Sequence, residues 1–113
     1  MLINGISSIL QERLWGKGIK YVGDNGTHIV LEVDGEQTTI PRDTFLFSVL
    51  EWITDNNIIV SMSIEKGKYN IYLYDTQATF DVPIFRARES SREVGIILAA
   101  EYVASEVLRS SNG

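Results

Sequence analysis

Cysteine is absent from this chain. Disulfides, thiolate metal sites and a cysteine nucleophile are therefore excluded. A single histidine, His28, makes up the whole imidazole inventory, so no site can rest on two of them. Positive charge is scarce. Ten Lys plus Arg stand against fifteen Asp plus Glu, a net charge of −5, and the pI is near 4.8. That balance argues against direct nucleic-acid binding, because neutralising phosphates needs clustered cations. Long apolar runs are missing too. The longest, Val94 to Ala100, contains a glycine and is far too short to cross a bilayer. The start, Met1-Leu2-Ile3-Asn4, has no basic region and no cleavage site, which predicts a cytoplasmic protein. No G-x-S-x-G, Walker or dinucleotide glycine pattern occurs. What remains is 113 residues with an ordinary balance of 44% apolar and 22% charged positions. This predicts one domain over residues 1–113 with a frayed tail from about 110.

Periodicity divides the chain into helices and short strands. Ile6, Ile9, Leu10 and Leu14 lie at helical spacing, with Asn4 as cap and Gly16 and Gly18 as the stop. Three extended runs follow: Ile19 to Val22, Thr27 to Val33 and Gln37 to Ile40. Asn25-Gly26 predicts a two-residue hairpin with both residues at positive φ, and Asp34-Gly35 turns the chain again. Pro41 ends the third strand and opens a helix over Asp43 to Asp55. Ile58, Val60, Met62 and Ile64 alternate with Ile59, Ser61, Ser63 and Glu65, the clearest strand pattern present. Tyr69 to Asp75 and Thr79 to Ile84 read as two further strands. Ser90 and Glu93 have capping-box spacing ahead of a last helix reaching about Arg109. On that helix Ile96, Ile97, Ala100, Val103 and Ala104 share one arc.

The predicted fold is α+β, with one antiparallel β-sheet and packed helices in the order α-β-β-β-α-β-β-β-α. A shift of 42 residues lays Ile29, Leu31, Ile40 and Pro41 over Ile71, Leu73, Val82 and Pro83, which suggests an internal αβββ repeat. If Gly67-Lys68 forms the loop between the fourth and fifth strands, Met62 faces Leu73, and Ser61 and Ser63 face Tyr74 and Tyr72.

No catalytic constellation emerges. His28 would need an orienting carboxylate, Asp24 or Glu32, and it sits on a strand out of the apolar phase. Glu51 and Asp55 share a helix face, as paired metal-binding carboxylates can, and as solvated carboxylates commonly do. The chain therefore reads as a non-enzyme without metal or cofactor. Arg86, Arg88 and Arg92 are the one concentration of positive charge. They precede and open the last helix, where an anion or a partner's carboxylate would be favoured; Glu89, Glu93 and Asp81 are the competing partners. Tyr72 and Tyr74, alternating with small polar residues across the hairpin, make a flat amphipathic face of the composition enriched in binding patches. Ile59, Trp15, Trp52 and Tyr102 also fall outside the apolar phases. A homodimer through the second helix and the strand from Ile58 to Glu65, anchored on Trp52, would cover such a remainder.

The order of elements, the small size and the acidity resemble the class I type III secretion chaperones. The resemblance implies a homodimer that holds an effector segment. The second half, with the helix Phe45 to Asp55, the hairpin Ile58 to Asp75 and the small-residue helix carrying Ala99, Ala100 and Ala104, is similar to the small phage proteins called ABA-sandwich domains. Both resemblances imply a binding role: an accessory protein that inhibits or modulates a host protein, or a homodimeric chaperone. A binder of small anions or nucleotides at Arg86, Arg88 and Arg92 is the remaining reading from the residues themselves.

Overall fold

The computed structural model describes residues 6–77 and 82–107. Its elements are α1 (Ser8–Trp15), β1 (Ile19–Asp24), β2 (His28–Val33), β3 (Glu36–Pro41), α2 (Arg42–Asp55), β4 (Ile58–Glu65), β5 (Lys68–Asp75), β6 (Phe85–Glu89) and α3 (Arg92–Tyr102), which runs on into a π-helical turn, Val103–Val107. The fold is α+β in the expected order. The strands, however, form two antiparallel meanders, β1-β2-β3 and β4-β5-β6, where the sequence suggested a single sheet.

The turns explain the local geometry. Asp34-Gly35 and Lys66-Gly67 both carry positive φ at both positions, 53° and 85° in the first and 53° and 77° in the second. These are two-residue hairpin loops whose twist suits the flanking strands. The second loop is one residue earlier than expected. It shifts the register by two, so Met62 pairs with Ile71, Ser61 with Tyr72 and Ser63 with Asn70. A shift of two leaves every side chain on its expected face. At Asn25-Gly26 only the glycine has positive φ. There Asn25 Oδ1 accepts from the backbone N–H groups of Thr27 and His28, at 3.2 and 2.9 Å, and builds a three-residue loop.

Other boundaries move for equally local reasons. Ser7 rather than Asn4, which lies outside the described residues, caps α1; its side chain accepts from Leu10 N. The Glu101 carboxylate accepts from both the Ser7 backbone N–H and the Ser7 hydroxyl, tying α1 to α3. Ser91, not Ser90, caps α3, accepting from Val94 N at 3.3 Å. The last strand lies at Phe85–Glu89. The expected strand from Thr79 falls partly outside the described residues, and its visible end, Val82 to Ile84, precedes β6.

The core joins both sheets to the helices. Ile29 and Leu31 of β2 and Ile71 and Leu73 of β5 occupy corresponding central positions and are all buried. The repeat stops there. Pro41 ends β3 directly at α2, whereas Pro83 lies ahead of β6. Phe45, Val49 and Ile53 of α2 and Ile96, Ala99, Ala100 and Val103 of α3 complete the cluster. The helix α2 touches β2, β3 and β4, and α3 touches β5 and β6. The chain is 18 Å deep along its shortest axis, the depth of one helix layer on one strand layer.

Candidate functional site

The second sheet has two faces of opposite character, set by strand alternation. One face carries Ile58, Val60, Met62 and Ile64 of β4, Ile71 and Leu73 of β5, and Phe85 and Ala87 of β6. The helices α2 and α3 pack on it. Gly95 lies against Ile71, and the Phe85 and Tyr102 rings are 5.1 Å apart. The other face carries Ile59, Ser61 and Ser63, then Tyr72 and Tyr74, then Arg86 and Arg88. On this face Ile59, Ser61, Ser63, Arg86 and Arg88 are exposed, Tyr72 and Tyr74 half-buried, and Asn70, between Ser63 and Arg88, buried. Tyr72 stands between Ser61 and Arg86, and Tyr74 beside Ile59.

The helix layer also stops short of β4. Ile64 is 70% exposed, Met62 44% and, on α2, Phe47 67%. Together with Leu46, Leu50 and Ile96 these last two line a shallow groove beside α2 and β4, to which the paired Asp43 and Arg92 also contribute. β4 is an edge strand, and from Ile58 to Ile64 it carries no charge. Most of the residues that fell outside the apolar phases thus divide in two. Trp15, Trp52 and Tyr102 are half-buried against the core, while Ile59, Tyr72 and Tyr74 stand on the open face.

The three arginines do not converge. Arg86 and Arg88 extend from the open face of β6 and are exposed. Arg92, at the first turn of α3 on the helix side, pairs with Asp43 at 3.3 Å and Glu93 at 3.5 Å. Trp52 likewise lies away from the groove: the exposed aromatic beside Met62 is Phe47. One turn of helix places Phe47 and Leu50 on the β4 side of α2 and Trp52 on the opposite flank.

A second polar cluster lies where the β1–β2 hairpin meets the starts of α2 and α3. Arg42 Nη2 stands 3.6 Å from Asp24 Oδ1 and donates to the Gly26 carbonyl. Among the described residues no group meets hydrogen-bond geometry with Asp24 Oδ2, Arg42 Nε or the Tyr21 hydroxyl. Burial raises the pKa of Tyr21, the neighbouring Asp24 charge adds to the rise, and Arg42 opposes it. Burial also works to raise Glu93. Its own backbone N–H, the Ser91 hydroxyl, Arg92 and Arg42 outweigh that and hold it below the ordinary glutamate range. The sequence pointed to Asp24 only as a possible partner of His28 and did not join it with Tyr21 and Arg42, because that contact spans a hairpin and a helix start.

His28 is half-buried on β2 with Nδ1 2.8 Å from the Thr27 hydroxyl. Glu51 and Asp55 are exposed on α2. Among the described residues no group of three or more His, Asp or Glu is placed to hold a metal ion, and no helix is long and apolar enough to cross a membrane. Compared with known proteins, the chain matches no family model, no curated protein and no solved structure.

Proposed function

We propose that this chain is a non-enzymatic protein-binding module that works as a homodimer and modulates a partner protein. The observation that carries the reading is the exposed apolar surface of Phe47, Met62 and Ile64 at an edge strand that carries no charge from Ile58 to Ile64. A long, uncharged, apolar strand edge is a template for further pairing, and folded proteins cover such edges or charge them. β4 is self-complementary in this respect. Paired antiparallel with its copy about Met62, it sets Glu65 opposite Ile59, so the two Glu65 charges do not meet. The two Phe47 rings flank the join. Such a contact is isologous and closes at two copies.

Dimerisation through β4 leaves the Tyr72 and Tyr74 face free for the partner. The experiment is mass by light scattering on the intact protein. The expected value is twice 12.7 kDa, falling to one chain in Ile64→Lys with an unchanged circular dichroism spectrum. A single-chain mass for the native protein removes the dimer. Capture of folded partners then tests the binding role. The same element order also suits a homodimeric secretion-type chaperone, which would retain an unfolded segment instead.

A further inference from the structure

The second sheet ends in two unlike edges. β4 carries no charge from Ile58 to Ile64, whereas β6 carries Arg86 and Arg88 on its open face, with Glu89 at its end on the opposite face. Among the described residues β6 pairs only with β5, and neither arginine has an ion-pair partner. Lys68, the remaining cation of that face, is occupied by the Ser90 hydroxyl at 2.6 Å. In a chain of net charge −5 this is a local reversal of sign with an open strand edge beside it.

We propose that the β6 edge takes up an extended acidic segment of a protein partner as an added strand, with alternate carboxylates facing Arg86 and Arg88. This rests on the protein-binding reading above and names the chemistry of the partner. The spacing fits. Residues two apart on a strand stand about 7 Å from each other on one face, which is also the repeat of side chains on an added strand. Each guanidinium offers a paired donor fork to a carboxylate. Tyr72, cross-strand from Arg86, supplies a ring beside the first pair.

Other occupants fit worse. A second copy laid antiparallel along β6 sets arginine opposite arginine, a repulsive arrangement. A neutral apolar strand would cover two guanidinium groups without pairing them. A nucleic acid draws its affinity from neutralising many phosphates, and two arginines on an acidic chain offer few such contacts.

The test is fluorescence anisotropy of the full-length protein with three labelled probes: a peptide of about twelve residues alternating Glu with Thr and Leu, the same peptide with Gln for Glu, and an oligo-dT of equal length. The acidic peptide is expected to bind at least about tenfold more tightly than its Gln counterpart, to weaken with added salt, and to slow amide exchange over Arg86–Glu89. The doubly reversed variant, Arg86→Glu with Arg88→Glu, is expected to lose that preference. Should it fail to fold, Arg86→Gln with Arg88→Gln and the salt titration of the native protein carry the same comparison. Equal affinity for the two peptides, no binding of the acidic one at low salt, or tighter binding of oligo-dT overturns the proposal. None of these results bears on the dimer mass, so the two readings fail separately.

Discussion

Gly95 of α3 lies directly over Ile71 of β5: a methyl group at position 95 would meet Ile71 Cδ1 at 2.5 Å. Ile71 is fully buried, so its end carbon has nowhere open to go. Alanine within a helix gains about 1 kcal/mol over glycine. Overpacking a tight core costs about 1–3 kcal/mol. At this separation the clash wins. Gly95→Ala is expected to lower stability by about 1 kcal/mol in urea unfolding. In an Ile71→Val background, which removes Cδ1, the same change becomes neutral or stabilising. An equal cost in both backgrounds would show that the contact is not the cause.

The Asp24 side chain is only 2% exposed and its partner Arg42 14%. Removing one member of such a pair strands the other charge in a poorly solvated place, at a cost of about 3 kcal/mol. Asp24→Asn should therefore be strongly destabilising, and Arg42→Met in that background should recover part of the loss. A double-mutant cycle by thermal unfolding reads the coupling. Additive effects would mean that the pair contributes nothing.

Glu93 has a pH signature. Its pKa is held below the ordinary value of 4.5 despite burial, because backbone and Ser91 hydrogen bonds and two arginines favour the carboxylate. A group with a depressed folded pKa contributes stability that is present above its unfolded pKa and lost as pH falls through the folded one. The acid limb below about pH 4.5 should accordingly be shallower in Glu93→Gln than in the native protein. Parallel acid limbs in denaturant midpoints taken from pH 6 downward would refute this.

Trp52 and Phe47 should behave oppositely. Trp52 packs against the core, whereas Phe47 is 67% exposed beside the groove. Trp52→Ala is expected to destabilise by about 2–3 kcal/mol, the lower range for an aromatic left partly solvated. Phe47→Ser should leave the melting temperature nearly unchanged while weakening self-association. Light scattering and thermal melts on the same samples decide it. A melting temperature that falls more for Phe47→Ser would reverse the assignment.

Several features were legible in the chain because they depend on neighbours a few residues apart. The alternation from Ile58 to Ile64, the helical spacing of Leu46, Val49 and Ile53, and the Asp34-Gly35 turn each state a local preference, and each forms where it was read. The open face of Tyr72 and Tyr74 was legible as a face, since a period of two assigns faces even when the register is off by two.

What the tertiary structure alone decided concerns contacts between distant segments. Nothing local distinguishes Thr79 to Ile84 from Phe85 to Glu89 as a strand. Both alternate; Phe85 to Glu89 joins β5 because Phe85 and Ala87 fall opposite Leu73 and Ile71 beneath α3, while residues 79–81 lie outside the described residues. That choice moves Arg86 and Arg88 from the approach to a helix onto an open sheet face and separates them from Arg92, which two carboxylates claim. The split into two meanders and the exposure of Met62 and Ile64 are likewise outcomes of tertiary packing. Periodicity along a chain says which residues seek burial; only packing in three dimensions says which of them find a neighbour.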